Sequence, residues 1–194
     1  MLIKTVAPTE LELDRRELAA RLGNPDATLD GLEGLYNELM SASRPAYAAT
    51  RVKFKAENGT VSFGGESFDS TALCKFLGSD GECVMLAATL GMGVDRLVMK
   101  RAQTSAAEAF LIDAIADVLI ESLCDMAEKD LAPGIEARGR FSPGYADLDI
   151  SAGYEILRLT DAERRLGIKL TEGGLMIPKK SVNAIIAVNK REGV

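Results

Sequence analysis

Apolar residues recur at helical spacing in four stretches of the chain, and these stretches predict its helices. The longest, residues 105–129, has the pattern of one long helix. Residues 14–22 predict a short helix, and residues 29–43 predict another with Thr28 as its N-cap. Around residues 154–166 the same spacing indicates a further helical segment.

Other stretches have the pattern of β-strands. Residues 46–55 alternate between apolar and polar positions, and Asn58-Gly59 is a hairpin turn signal that leads into residues 61–63, so these two strands should pair. Residues 83–90 form a continuous apolar run that suits a buried strand. The glycine pair in the Gly91-Met92-Gly93 segment that follows indicates a structural turn, because the third glycine of the dinucleotide-binding fingerprint is missing.

The C-terminal part predicts more strands, and their order with the helices indicates a fold class. A strand is expected near residues 139–141, and residues 168–189 predict strands broken by Gly173-Gly174 and Pro178. Helices and strands are mixed without a regular strand-helix-strand alternation. This order predicts an α+β fold, with a twisted, largely antiparallel sheet flanked by helices. No repeat or linker appears, so we expect a single domain over residues 1–194.

Composition excludes several classes of function. The chain has 194 residues with 23 basic and 29 acidic side chains, a net charge of −6, which argues against nucleic-acid and anionic-membrane partners. It contains no histidine, which removes serine and cysteine hydrolase systems and histidine-based zinc sites. Any chemistry here would use arginine, tyrosine, carboxylates, backbone groups or a borrowed cofactor, and we predict no catalytic residue and no metal-site residue.

Cysteine usage and hydropathy indicate a location. The three cysteines show no CxxC spacing, and an odd number of cysteines cannot all pair within one chain. This usage is typical of buried thiols in the reducing cytoplasm. The most apolar long stretch, residues 106–124, is interrupted by three acidic residues and predicts no membrane span. We expect a cytoplasmic protein.

Four acidic residues follow one another at four-residue spacing along the long predicted helix: Asp113, Asp117, Glu121 and Asp125. Like charges at this spacing disfavour an isolated helix by about 0.2–0.5 kcal/mol per pair. The stripe is either a solvated helix face or a face on which one acid lines a pocket and binds a cation. Glu121 is the best candidate for the second role, because its sequence neighbours are apolar.

A second group of polar residues follows the strand predicted near residue 140. The Arg140 guanidinium suits a carboxylate, and Tyr145 offers a flat face and a hydroxyl. Between them Pro143 stiffens the chain, and Gly144 lets the backbone approach a ligand closely. The segment is either a loop that binds an amino acid or nucleoside, or a rigid turn with an exposed arginine.

The pattern Arg140-x-x-x-Gly144-Tyr145 resembles the S-adenosylmethionine-binding motif of the activation (reactivation) domain of cobalamin-dependent methionine synthase. The helix with Ala116-Asp117 and Glu121 resembles the family helix that supplies an acidic ligand. The resemblance is clear over residues 105–188 and faint over residues 1–104. It extends downstream to a segment similar to the closing segment of that domain, with residues 167–172, Met176, Pro178, Ser181 and Val182.

The resemblance implies a fold, a ligand and partners. S-adenosylmethionine would be presented to an inactive cob(II)alamin, with cobalamin supplied by a corrinoid-binding methionine synthase subunit and an electron supplied by a flavodoxin-like donor. Arg140 would pair with the ligand carboxylate, and Tyr145 would pack against the ligand or hydrogen-bond to it. The backbone at Ser142 would hold the adenine edge, and Gly144 would let the backbone pass close to the ligand. Glu121 would receive the ammonium or the ribose hydroxyls.

Three functions remain open on the sequence. The first is a stand-alone reactivation subunit of a split methionine synthase, an accessory component of a methyltransferase. The second is a non-catalytic docking or scaffold protein for a corrinoid protein. This function is favoured by two departures from the family. The chain lacks counterparts to an acidic residue that binds the ligand near the start of the family domain and to an aromatic one near its end. In addition, Ile177 and Lys179-Lys180 differ from the usual residues around Pro178. The third is methyl transfer from S-adenosylmethionine to an unrelated acceptor.

Overall fold

A seven-stranded antiparallel sheet forms the centre of the molecule. The computed structural model describes residues 1–23, 31–131 and 135–190. The strand order is β4-β3-β2-β5-β9-β6, and β1 pairs with β2 beside β3. The strands are β1 (Leu2–Thr5), β2 (Ala46–Glu57), β3 (Thr60–Phe63), β4 (Glu66–Asp69), β5 (Gly81–Thr89), β6 (Ile135–Phe141) and β9 (Ser181–Lys190), with β7 (Lys169–Leu170) and β8 (Met176–Ile177) as a separate hairpin.

Helices cover both faces of this sheet. They are α1 (Arg15–Leu22), α2 (Glu33–Ala42), α3 (Thr71–Leu77), α4 (Met92–Ala102), α5 (Ala106–Lys129), α6 (Ala152–Thr160) and α7 (Ala162–Leu166). Helices α1, α2, α4 and α5 pack on one face, and α3, α6 and α7 pack on the other. The predicted α+β class with an antiparallel sheet flanked by helices is confirmed.

The alternation of side chains along the strands divides the core in two. Tyr47 and Ala49 of β2 and Ile186 of β9 face the layer that contains α5. Met85 of β5 and Ile185 of β9 point the opposite way, towards α3 and α6. Because successive side chains of a strand point to opposite faces, each central strand contributes to both cores, and β5 carries a continuous apolar run over residues 83–88.

Helix α5 follows the prediction closely. Its N-cap is Ser105, whose hydroxyl accepts a hydrogen bond from the backbone N–H of Glu108, and the helix extends to Lys129. Ile112, Ile115 and Leu119 lie on its fully buried face. The hairpin at Asn58-Gly59 is also confirmed, since Glu57 of β2 pairs with Thr60 of β3.

Several boundaries differ from the prediction. The helix expected at residues 29–43 is α2, which begins at Glu33, and the proposed Thr28 cap lies outside the described residues. The segment expected at residues 154–166 is two helices, because Asp161 between them has a left-handed backbone. The sequence pattern did not predict β1, β4 or α3, which are short elements.

The glycines after β5 have a structural role, as expected. Gly91 is the N-cap of α4, and Gly93 lies so close to α2 that an added Cβ would be 2.1 Å from the Ala42 carbonyl oxygen. The backbone of α2 therefore packs directly against the start of α4.

The cysteines are free thiols. Cys83 and Cys124 are buried, and Cys74 is partly buried. Burial raises the pKa of Cys83 and of Cys124 to about 12, so both thiols stay protonated at neutral pH. Across the described ranges, no helix combines the length and hydrophobicity that crossing a membrane requires.

Candidate functional site

Arg140 lies near the end of the edge strand β6, on the side of the sheet that α5 covers. A register shift between Ala137 and Arg140 interrupts the pairing of β6 with β9. Beyond it Arg140 pairs with Ile186 and Phe141 pairs with Ile185. The two side chains therefore point to opposite faces, Arg140 towards α5 and Phe141 towards α3 and α6.

Three carboxylates of α5 bind the Arg140 guanidinium. Its Nη1 donates to Asp125 Oδ1 and to Glu128 Oε1, both at 2.9 Å, and its Nη2 donates to Glu121 Oε2 at 2.8 Å. The Arg140 side chain is 22% exposed. Since a guanidinium has five N–H donors, these three hydrogen bonds leave two donors for a ligand.

The electrostatics of this ion-pair cluster depend on partial burial. Burial opposes the charge of Arg140, but the hydrogen bond to Asp125 and the surrounding carboxylates raise its pKa above the ordinary value. Burial raises the pKa of Glu128, and the Arg140 charge only partly offsets this effect. Arg140 thus stays charged and fixed in position at neutral pH.

The other half of the acidic stripe pairs with different cations. Lys180 Nζ lies 2.9 Å from Asp113 and 2.5 Å from Asp117, and Arg21 lies 3.5 Å from Asp117. The stripe is therefore neither a purely solvated face nor an open cation site, because its acids already bind basic side chains. No group of three or more metal-ligating side chains within residues 1–23, 31–131 and 135–190 could hold a metal ion.

A tight turn follows the strand. The backbone N–H of Tyr145 donates to the Ser142 carbonyl at 3.1 Å, and Gly144 has φ +85°. Proline at the second position and glycine with positive φ at the third are typical of a type II turn. A second hydrogen bond, from Gly144 N–H to the Leu148 carbonyl at 2.9 Å, closes the loop on itself.

Asp147 attaches this loop to the first turn of α3. Its carboxylate accepts hydrogen bonds from the Ser70 hydroxyl, from Thr71 N–H at 2.9 Å and from Ala72 N–H at 3.2 Å. The Ser70 hydrogen bond and the backbone hydrogen bonds lower the pKa of Asp147. These hydrogen bonds fix the loop against the start of α3.

Tyr145 lies at the exposed end of an aromatic row. Its ring packs edge-on against Phe141 with centroids 5.3 Å apart, and Phe141 is 5.3 Å from Phe76. Tyr145 is nevertheless 68% exposed. Because Phe141 and Arg140 point to opposite faces, Tyr145 and Arg140 lie on either side of the end of β6.

Several exposed apolar side chains lie on this loop, on the segment that leads into α6, on α6 itself and on the β7–β8 hairpin. Ile150 lies against the turn at Gly174, where an added Cβ would be 2.6 Å from its Cδ1. The Tyr154 hydroxyl donates to the Thr171 carbonyl at 2.7 Å and joins α6 to the β7–β8 hairpin. We call the following exposed set the apolar rim: Tyr145, Ile150, Tyr154, Leu175 and Ile177.

The comparison with solved structures identifies the fold. A crystal structure titled as the MetH reactivation domain bound to AdoHcy matches with a TM-score of 0.73 and 15% sequence identity. The match covers 100% of this chain and 79% of that chain. The chain has the fold of the MetH reactivation domain. No family model and no curated protein matches the sequence.

Within this MetH reactivation-domain fold, the structure brings some of the predicted site residues together. Glu121 and Arg140 are in direct contact, whereas Ser142 and Gly144 form the turn and Tyr145 lies beyond it. The resemblance to the activation domain noted in the sequence is confirmed for the fold, and the ligand roles of these residues stay predictions.

Two residues of the site were missed in the sequence. Glu128 contacts Arg140 although it is not part of the four-residue acidic stripe. It lies three residues after Asp125 and therefore on the same helix face, and this spacing could have predicted it. Asp147 had no such signal, because its partner Ser70 is 77 residues away in the sequence.

A separate cavity of about 780 Å³ lies at the far end of the sheet. Its lining includes Arg51, Lys53 and Lys55 of β2 together with Asp80 and Glu82, and none of the loop residues 140–145. The lining contains both basic and acidic side chains, and Arg51 is already paired with Glu82. The cavity is therefore not part of the candidate site.

Proposed function

We propose that the chain binds S-adenosylmethionine at the loop of residues 140–145 and is the reactivation subunit of a split cobalamin-dependent methionine synthase. The observation that carries this proposal is the structural match of the whole chain to a reactivation domain that was solved with AdoHcy bound. AdoHcy is S-adenosylmethionine without its transferable methyl group. The Arg140-x-x-x-Gly144-Tyr145 pattern supports the same ligand.

The residues of the loop fit the polar ends of this ligand. Arg140 has two N–H donors beyond those bound to Glu121, Asp125 and Glu128, and a carboxylate can take both. Glu121 is 39% exposed and has a second oxygen for the ligand ammonium. The Ser142 carbonyl oxygen can accept one hydrogen bond from the nucleoside in addition to the turn hydrogen bond from Tyr145 N–H, and the exposed Tyr145 ring can pack against it.

Methyl transfer from S-adenosylmethionine requires little of the chain beyond orienting the ligand. A sulfonium carries its own leaving group, so when the methyl group passes to the reduced cobalt of the partner, the sulfur keeps the bonding electron pair and AdoHcy is left. No proton moves, and a chain without histidine is sufficient. The residues of this chain bind the ligand and aim its methyl group, which is a matter of proximity and orientation.

The apolar rim supports a protein partner beside the ligand. Its five large side chains extend from Tyr145 of the loop to the β7–β8 hairpin, and they expose apolar surface whose burial by a partner would be favourable. We propose that the corrinoid-binding subunit covers this rim, so that its cobalt comes to face the ligand. A flavodoxin-like protein is the proposed electron donor.

Isothermal titration calorimetry tests the ligand, using the full chain with S-adenosylmethionine, alone and with a corrinoid-binding methionine synthase subunit. We expect saturable binding in at least one of the two titrations. The matched control is adenosine with methionine added separately, which supplies the same groups without the sulfonium link. Absence of heat in both S-adenosylmethionine titrations would rule out the methyl-donor role.

A second candidate function is a docking protein without a ligand. The observation that favours it is that the Arg140 guanidinium already binds three carboxylates of its own chain, so its charge is balanced without a ligand carboxylate. A pull-down that recovers the corrinoid-binding subunit, combined with no S-adenosylmethionine binding, would establish this function instead.

A further inference from the structure

Helix α3 supports the strand and the loop that carry the candidate site. At the C-terminal end of α3, Arg138 Nη2 donates a hydrogen bond to the Leu77 carbonyl at 3.2 Å. One residue earlier on the helix, the Phe76 ring lies 5.3 Å from the Phe141 ring, and Phe141 packs in turn against Tyr145. The helix therefore contacts the end of β6 and, through Phe141, the ring that the loop exposes.

One carboxylate, that of Asp147, joins the loop to the other end of α3. It accepts hydrogen bonds from the Ser70 hydroxyl and from the backbone N–H groups of Thr71 and Ala72. Next to it in the chain, Ala146 has φ +51°. Residues other than glycine rarely have a positive φ, so contacts on both sides must hold Ala146 in this conformation. Asp147 supplies the contact on the C-terminal side.

Arg140 has a different support, on the opposite face of the sheet. Its guanidinium is bound by carboxylates of α5, whereas Phe141 and the Asp147 carboxylate are bound on the α3 side. In the proposed complex, Arg140 binds the carboxylate end of the ligand and the loop binds its nucleoside end. Because the two supports share no residue, a change in one should leave the other unaffected.

We propose that Asp147 is a positioning residue for the nucleoside end of the ligand, because its bond to α3 holds Ser142 and Tyr145 in the orientation in which they bind. This role rests on the proposed function, since it requires that the loop binds the nucleoside. Asp147 acts through the loop and does not touch the ligand itself. Without the bond to α3, the loop must be ordered each time a ligand binds, and the entropy of ordering weakens the complex.

Calorimetric titration of Asp147→Ala with two ligands tests this role. The ligands are S-adenosylmethionine and methylthioadenosine, which keeps the nucleoside and lacks the amino-acid end. We expect Asp147→Ala to weaken both by the same factor, about fivefold, which corresponds to the entropy of ordering one backbone residue. Arg140→Ala should weaken S-adenosylmethionine alone, because methylthioadenosine has no carboxylate. Asp147 is exposed, so its truncation leaves the core intact, and a merely structural role would change neither affinity of the folded variant.

Two further variants complete the design. Asp149→Ala is the matched control, because it makes the same change of charge two residues away. Asp149 accepts its hydrogen bond from Ser151 N–H at 2.8 Å, within its own segment, and the variant should leave both affinities unchanged. Asp147→Asn keeps an oxygen that can accept hydrogen bonds, so it should lose less affinity than Asp147→Ala, and it replaces that variant if Asp147→Ala does not fold.

The outcomes separate this role from the proposed function. Equal effects of Asp147→Ala and Asp149→Ala on a chain that binds S-adenosylmethionine would overturn the positioning role alone. A loss confined to S-adenosylmethionine, or a wild type that does not bind methylthioadenosine, would do the same, since the loop would then not hold the nucleoside. Failure of the wild type to bind S-adenosylmethionine, alone and with the corrinoid-binding subunit, would overturn the proposed function as well.

Discussion

Arg140 is the side chain on which the candidate site depends most. It is charged, largely shielded from water and fixed by Glu121, Asp125 and Glu128, so it meets a ligand in one orientation. Such preorganisation lowers the entropy that binding would otherwise cost. The same three hydrogen bonds tie the end of β6 to α5.

Replacing Arg140 tests its role directly. We expect Arg140→Ala to weaken S-adenosylmethionine binding by about 1.5–3 kcal/mol, the range for a hydrogen bond to a charged group. Calorimetry measures this change. Arg51→Ala is the control, because Arg51 is also paired with a carboxylate but lies on β2, away from the loop. An affinity that Arg140→Ala leaves unchanged would remove Arg140 from the site.

At the scale of elements, the turn between β3 and β4 docks on α6 through a glycine. Gly64 and Gly65 both have positive φ, and Arg158 of α6 donates to the Gly64 carbonyl at 2.8 Å. A Cβ at Gly64 would be 2.0 Å from Glu155 Oε1, whereas nothing lies within 4 Å of a Cβ at Gly65. Backbone strain is therefore common to both positions, and the steric clash is specific to Gly64.

This difference gives a matched pair of variants. Both Gly64→Ala and Gly65→Ala should destabilise the fold through backbone strain. We expect Gly64→Ala to cost about 1–3 kcal/mol more, because the methyl group displaces the buried Glu155 carboxylate from Arg158 and presses against the Leu159 side chain. Denaturant unfolding measures both free energies. Equal losses would show that the turn does not pack against α6 as the structure has it.

The attachment of the 140–145 loop to α3 should depend on pH. The pKa of Asp147 is lowered in the fold by the Ser70 hydroxyl and by the Ala72 and Thr71 backbone N–H groups. A carboxylate with a lowered pKa stabilises the fold above its ordinary pKa of about 4, and this contribution is lost as pH falls below that value.

Asp147→Asn isolates this contribution. At neutral pH we expect the variant to be less stable than the wild type, since a neutral amide accepts weaker hydrogen bonds from the α3 N-terminus. As pH falls below about 4 the two unfolding free energies should converge, because the wild-type carboxylate becomes neutral too. Denaturation midpoints measured across this range provide the check. A gap that stays constant with pH would contradict the Asp147 contact.

For the whole molecule, stability depends on the buried face of α5, and the apolar rim contributes little to it. Leu119 is fully buried between α5 and the sheet, whereas Leu175 is 70% exposed on the β7–β8 hairpin. The same truncation at these two positions therefore separates folding from partner binding.

We expect Leu119→Ala to lower the free energy of unfolding by about 2–5 kcal/mol, because it leaves a cavity in the core. Leu175→Ala should change it by no more than about 0.5 kcal/mol. A pull-down with the corrinoid-binding subunit should show the opposite pattern. Leu175→Ala should remain folded but capture less of that subunit than the wild type does. Full capture by Leu175→Ala would exclude Leu175 from the proposed docking surface.

The sequence determined the features that depend on neighbours along the chain. The span of α5 follows from its apolar spacing and from Ser105 as N-cap, and the turn at residues 142–145 follows from Pro143 and Gly144. Local backbone preferences decide such features, so the order of elements and the α+β class could be predicted.

Tertiary structure alone decided which groups the site residues meet. Arg140 and Glu121 are 19 residues apart, and they touch because β6 pairs with β9 at a point that α5 crosses. The short strands β1 and β4 exist only through their pairing with β2 and β3. A hydrogen bond between distant residues leaves no periodic trace in the sequence, because it forms only after the layers have packed.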